Sequence, residues 1–467
     1  MPKISFMGAG STIFAKSILG DSMLTAALHD AHIALYDIDP RRLGESQRMM
    51  EVLNANINGG RATISAHCGS EQRRQALKGA DFVVNAIQVG GYESTMIDFE
   101  VPKRYGLRQT IADTLGIGGI FRTLRTLPVM WDFARDIEEV CPRAWMLNYT
   151  NPQATLIMGM SRATPVRCVG LCHSVQGNAR GLLSQLGMLD DVKDLHWRVA
   201  GINHMAWLLE LTDGAADLYP EVTSRTRRLV DDVLAAGGVA AYRAKLEAAH
   251  GNVPKRDIPT WRAAGDLVRL KMMLLLGHYI TESSEHNAEY MAYWIKSRCP
   301  ELIELYGIPL DEYPRRMRNQ EAAWKKQAAD VVDNPNLAHT RGHEYGSYIM
   351  EAILTDTPFR IHGNVMNAGL IDNLPAKACV EVACMVDRNG VQPTHVGPLP
   401  EQCAAMNVTN INTQILTVEA ALNRRKDTLY QAAMLDPHTL AELTLDQIVA
   451  LCDDLIEAHG DMLPPMT

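Results

Sequence analysis

Lys3-Ile4-Ser5-Phe6-Met7-Gly8-Ala9-Gly10-Ser11-Thr12-Ile13, completed by Ile33-Ala34-Leu35-Tyr36-Asp37, decides the fold. A short apolar strand enters a Gly-x-Gly turn. A helical pattern continues through Leu24, and a second apolar strand ends in an acid. This is the layout of a dinucleotide-binding βαβ unit. Its glycines let the backbone approach a pyrophosphate, and the helix start offers unpaired N–H groups and a positive dipole end. Asp37 is placed to accept hydrogen bonds from ribose hydroxyls, which favours NAD. The expected cofactor contacts are Gly8, Gly10, Ser11, Thr12, Asp37 and Arg42. Arg41 and Arg42 could instead meet a 2′-phosphate, so NADP stays open. Ile13 stands where a third glycine would fall. The strand, the helix and the acid at its proper distance therefore carry the reading, since a bare Gly-x-Gly is equally an ordinary tight turn.

Outward from this unit the pattern repeats. Asp81-Phe82-Val83-Val84-Asn85-Ala86 is a buried strand ending in the loop Ile87-Gln88-Val89-Gly90-Gly91-Tyr92. Gln109 to Gly119 is a second glycine-rich loop before a long helix. Asp113 or Thr114 could cap that helix, or the loop could close over a sugar or phosphate. Ala144 to Leu147 is the next strand, and it ends in Asn148-Tyr149-Thr150-Asn151-Pro152. Asn148 and Asn151 fall where a ligand meets the carboxyl edge of an open sheet. Strands and helices alternate from residue 3 to about 200, the signature of a doubly wound parallel sheet. Residues 221–300 are mainly helical, residues 358–400 carry short strands, and the chain from about Gln402 to His459 is helical. The expected division is a Rossmann-like domain over 1–200 and a mixed α+β domain over 201–467.

The chain has 467 residues, 47% hydrophobic and 21% charged, with a formal net charge of -9. Its size suits two packed domains, and the acidic balance disfavours a nucleic-acid binder. The opening lacks a signal-peptide pattern, and no apolar run reaches the roughly 18 residues of a membrane span. Nine scattered cysteines do not form a disulfide framework. A cytoplasmic enzyme of small molecules is expected, with no membrane partner, working as a homo-oligomer (dimer or tetramer).

Two further segments carry chemistry. Val169-Gly170-Leu171-Cys172-His173-Ser174-Val175 and Gly201-Ile202-Asn203-His204-Met205 each follow a short apolar run. A thiol and an imidazole at adjacent strand ends, Cys172 and His204, can share one divalent metal, although a Cys-His pair alone is more often a core thiol beside a surface imidazole. Those donors favour a borderline ion such as manganese, iron, cobalt, nickel or zinc. A nucleotide site with such a metal fits a polyhydroxy substrate, whose hydroxyl and derived ketone the ion can hold.

These motifs together resemble glycoside hydrolase family 4 along nearly the whole chain. The resemblance rests on Gly8-Ala9-Gly10-Ser11, Ala112-Asp113-Thr114 with Gly118-Gly119, and Leu147-Asn148-Tyr149-Thr150-Asn151-Pro152. It extends through Cys172-His173-Ser174-Val175, Gly201-Ile202-Asn203-His204, Asn373-Leu374-Pro375 and Val380-Glu381-Val382. Cys-His-Ser-Val, with Thr281 to His286, looks like the α-galactosidase (melibiase) branch. The resemblance implies a fold of the lactate/malate dehydrogenase-like superfamily and an exception to two-carboxylate glycoside hydrolysis. NAD oxidises the sugar at C3, a base takes the acidified C2 hydrogen, and the metal holds the C2 and C3 oxygens. The glycosidic oxygen leaves by elimination, water adds at C1, and the hydride returns. Within that scheme Cys172 and His204 match the metal ligands, with Mn2+ or another divalent transition metal expected. His173 is the candidate proton donor. Asn151, Asp113 and Asn148 fall to the sugar. The base is Glu282 or Tyr279, with Glu282 preferred, because the tyrosine of phospho-specific members has no counterpart around 265–275.

Three other readings compete. The same mechanism could act on α-galacturonides or α-glucosides. A plain NAD-dependent 2-hydroxy acid dehydrogenase would make net NADH without metal. A nucleotide sensor would need none of Cys172, His173 and His204.

Overall fold

The computed structural model describes residues 1–467, with every side chain except those of Arg256 and Ala329. Thirteen strands form one mixed sheet: β1 Lys3–Met7, β2 His32–Asp37, β3 Thr63–Cys68, β4 Phe82–Asn85, β5 Trp145–Asn148, β6 Arg167–Gly170, β7 Leu195–Ile202, β8 Met205–Asp213, β9 Ala216–Asp217, β10 Tyr279–Ile280, β11 Phe359–Met366, β12 Cys379–Asp387 and β13 Gly390–Pro393. The order along it is β10-β8-β7-β12-β11-β6-β5-β4-β1-β2-β3, with β13 on β12 and β9 on β8.

From β3 to β6 every pairing is parallel, in the order of a doubly wound nucleotide fold, as the sequence predicts. Helices cover both faces, so the inner strands β1 and β4 are buried on both sides. Period-two alternation divides them between two cores. Phe82 and Val84 enter one, and Val83 enters the other with Phe121 and Leu124 of the helix Gly116–Val140. The C-terminal helices return to this half. Glu401–Asn423 lies on the helices 116–140 and 153–163, and Leu445–His459 lies on 91–104.

The other half differs from the expectation. The strand around Trp197–Ile202 does not extend the parallel sheet beside β6. It pairs antiparallel with β8 and β12, and both β11 and β12 separate it from β6. Cys172 and His204 therefore do not lie at adjacent strand ends. One row of cross-strand partners sets their level instead: Gly170 opposite Asn364, Asn364 opposite Glu381, and Glu381 opposite Gly201. Strands spaced by about 4.8 Å put the ends of that row roughly 14 Å apart. The segments leaving Gly170 and Gly201 then turn back toward each other above it.

Candidate active site

The chain leaving β6 and the two-residue β7–β8 turn meet at a cleft of about 460 Å³. Ser11, Asp113, Asn151, Cys172, His173, His204 and Glu282 line it, along with His286, Arg122, Tyr149 and Tyr313. His204 sits in the tight turn with φ 63°, and Glu282, just after β10, has φ 71°. Side chains seldom occupy this left-handed region, and such backbone strain clusters at functional sites.

His204 is buried, and its Nδ1 hydrogen-bonds the Tyr290 hydroxyl at 3.0 Å, leaving Nε2 for the cleft. Burial pulls its pKa down, but the Cys172 thiol bonded to it and the carboxylates Glu282 and Asp113 raise it to about 10. His286, on the helix Ser284–Glu289, stands edge-on to His204 with ring centres 5.0 Å apart. Its Nδ1 meets Ser283 Oγ at 2.7 Å and Glu282 Oε2 at 2.9 Å, and its Nε2 is 3.9 Å from Asp113 Oδ1. Burial raises the Glu282 pKa, but His286 and His204 outweigh it and hold the carboxyl well below the ordinary range. Donor atoms of His204, Glu282 and His286 all lie within 4.8 Å of one another.

His173 faces the opening, and its Nε2 makes a short ion pair with Glu344, which raises its pKa. Asn151 donates to Asp113 Oδ2 at 3.4 Å, and Thr114 Oγ1 donates to Asp113 Oδ1 at 2.7 Å. Asp113 does not cap the helix after its loop: that helix starts behind Leu115 with no side-chain cap. The Arg122 guanidinium is buried, bonds the Asn151 carbonyl at 3.3 Å and lies beside Tyr313 and Asp113.

The glycine turn reaches the same cleft at its end, Ser11. A Cβ on Gly8, at φ 91°, would come 2.7 Å from the Ala86 carbonyl oxygen, and one on Gly10 would come 2.8 Å from Asp37 Oδ2. Gly10 N–H donates to that oxygen at 2.6 Å, so Asp37 braces the turn. Arg42 lies on the adjoining helix, exposed, with its Cβ beside Gly10. Ser11 starts the first helix without capping it, which leaves the first-turn N–H groups facing outward.

Three expected site residues need correction. The Tyr279 side chain is buried, with its hydroxyl on Asp266 and Gln185 at the edge of the sheet, and it does not reach the cleft. Asn148 is fully buried and ties Asn85, Gln153 and the Thr150 carbonyl together beneath the Asn151 loop. The Thr12 hydroxyl accepts from Ser46 Oγ at 3.0 Å, is buried and does not line the cleft. In each case the alternation or helical phase turns the side chain inward although the backbone lies at the correct edge. His286, Tyr290, Arg122, Tyr313 and Glu344 were missed. The Glu282/His286/Tyr290 run, spaced four by four, is the signal that could have found the first two. Nothing local marks the other three.

A model of the family 4 glycosyl hydrolases matches residues 3–188, and the model of that family's C-terminal domain matches 199–439. The chain is 54% identical over 465 residues to an α-galactosidase of Bacillus subtilis (strain 168), covering 99% of each. It is 31% identical over 473 residues to an α-galactosidase of Rhizobium meliloti (strain 1021), covering 99% of this chain and 89% of the other. The fold matches a crystal structure of a 6-phospho-α-glucosidase from gut microorganisms in complex with NAD and Mn2+, with TM-score 0.78, 20% identity and full coverage of both chains.

Proposed function

This chain belongs to glycosyl hydrolase family 4, and from that premise we propose that it hydrolyses α-galactosides by transient oxidation and elimination, with NAD and a divalent ion such as Mn2+ bound in one cleft. One observation carries this reading. Ser11 at the end of the glycine turn lines the same cavity as Cys172, His204, Glu282 and His286. An ordinary dehydrogenase needs only the turn, and an ordinary glycosidase needs neither the turn nor these donors.

Both groups fit the residues present. The turn at Gly8 and Gly10 is packed too closely against Ala86 and Asp37 to admit a Cβ, which keeps its backbone bare, and the first helix behind it starts uncapped. Cys172 and His204 offer a soft and a borderline donor, with Glu282 and His286 beside them. When bound, NAD would take and return a hydride at sugar C3, and the ion would hold the C2 and C3 oxygens and favour loss of the C2 proton.

This chain's side chains supply the remaining steps. Glu282, its carboxyl held well below the ordinary range and paired with His286, lies beside His204. On this reading it takes the C2 proton. His173, whose pKa the bond to Glu344 raises, gives a proton to the departing glycosidic oxygen. Asp113 and Asn151 bind sugar hydroxyls. Among the described residues lining the cleft, Arg122 is the one with a permanent positive charge, and Asp113 and Tyr313 already answer it. That leaves no free cation for a uronate or a 6-phosphate, so a neutral hexose fits best. The metal-bearing thiol needs a reducing compartment, in keeping with the cytosol.

The test is a panel of p-nitrophenyl α-galactoside, α-glucoside and α-galacturonide, with and without NAD, Mn2+ and thiol. The α-galactoside should be cleaved fastest, and only with all three present. Preference for the galacturonide, or net NADH from a hydroxy acid, would contradict the reading.

A further inference from the structure

The turn Gln109–Thr114, which carries Asp113 into the cleft, is held from behind. Glu289, at the end of the helix Ser284–Glu289, is 2% exposed and gathers three consecutive backbone N–H groups. Thr110 and Ile111 donate to Oε2 at 2.8 and 3.1 Å, and Ala112 donates to Oε1 at 2.8 Å. Thr110 Oγ1 adds a bond of 2.7 Å to the Glu285 carbonyl of the same helix, and the Tyr313 N–H donates to the Thr110 carbonyl at 3.0 Å. Ala112 has φ 55°, a conformation that a non-glycine residue keeps only when its surroundings enforce it. Glu289 follows His286 by three residues, so both lie on one side of the helix. His286 reaches the cleft, and Glu289 grips the turn whose next residue, Asp113, stands 3.9 Å from His286.

We propose that Glu289 is the positioning residue that sets Asp113 against His286, and with it the place where the cleft holds a sugar hydroxyl. This deepens the reading of the cleft as a sugar site and rests on it. A carboxylate can accept all three N–H groups at once, whereas glutamine keeps one acceptor oxygen and turns an NH2 toward a buried donor. Glu289 is buried behind the turn and does not line the cleft, so its loss acts through Asp113.

The experiment compares wild type with Glu289→Gln, Asp113→Asn and the double variant. Amide exchange at Thr110, Ile111 and Ala112 should be roughly tenfold faster in Glu289→Gln. Its KM for p-nitrophenyl α-galactoside should rise roughly tenfold, with kcat within about threefold and NAD affinity unchanged. The double variant should be no worse than Asp113→Asn, because the two residues act as one unit. Unchanged exchange, an unchanged KM, or losses that multiply in the double variant would overturn the proposal. If Glu289→Gln fails to fold, Glu289→Asp, one methylene shorter with the same charge, is read in the same way. A wild type that cleaves no glycoside overturns the galactoside reading alone, and Glu289 then stands or falls on the amide exchange.

Discussion

The Tyr290 hydroxyl meets His204 Nδ1 at 3.0 Å, deep behind the cleft. That bond fixes the ring and leaves Nε2 for a metal. Partners of this kind typically change metal affinity roughly 10–100-fold. Tyr290→Phe should therefore weaken Mn2+ binding by about that factor, measured by calorimetry, while the fold persists. Cys172→Ser should weaken it further, since the thiolate is the stronger ligand. Unchanged Mn2+ affinity in both variants would remove His204 and Cys172 from the metal site.

Gly10 and Asp37 make a second testable contact. A side chain at position 10 drives into the carboxylate that braces the turn. Gly10→Val should abolish NAD binding by calorimetry and leave Mn2+ affinity intact. Equal NAD affinity would show that the turn does not hold the cofactor.

Glu344 should matter according to the leaving group. Loss of its pairing removes the partner that raises the His173 pKa, so less of the imidazole carries a proton to give to an alkoxide. Glu344→Gln should slow cleavage of melibiose-type substrates about 10²-fold and p-nitrophenyl galactoside far less, because nitrophenolate needs no acid. Equal losses on both would place the proton donor elsewhere.

The fold itself has a pH signature away from the cleft. Burial lowers the His438 pKa to about 4 from an ordinary value near 6.5. Below pH 6.5 the unfolded chain takes a proton that the folded chain refuses, so stability present above 6.5 is lost as pH falls toward 4. The loss is on the order of 3 kcal/mol. His438→Gln should flatten the decline of Tm between pH 6.5 and 4 relative to wild type. Parallel Tm curves for the two proteins would contradict this assignment.

The parallel half of the sheet was legible because its signals are local. Strand, glycine turn and helix follow one another within a few tens of residues, as in Lys3–Asp37, and buried strands such as Phe82-Val83-Val84 are unbroken apolar runs. The antiparallel half was not, because β11 and β12 enter between β6 and β7 from about 160 to 210 residues away along the chain, and no local pattern encodes such a pairing. Cys172 and His204 were legible as a pair of donors, but not the route that brings them together, since their strands are not adjacent. Asn148 and Tyr279 show the complementary limit. Both lie at the correct level of the sheet, but their side chains point into the core, and one residue of phase decides that. His286 escaped notice because its role depends on Glu282 and His204 together.

The central claim is that the sugar's C2–H bond breaks during turnover. An ordinary glycosidase leaves that bond intact. Hydrolysis in D₂O, with NAD and Mn2+ present, should therefore release galactose carrying deuterium at C2. This is read early by NMR and checked against free galactose incubated with the enzyme. Glu282→Gln should bind Mn2+ and lose the incorporation. Galactose with only hydrogen at C2, released at an undiminished rate after NAD is removed, would contradict the account.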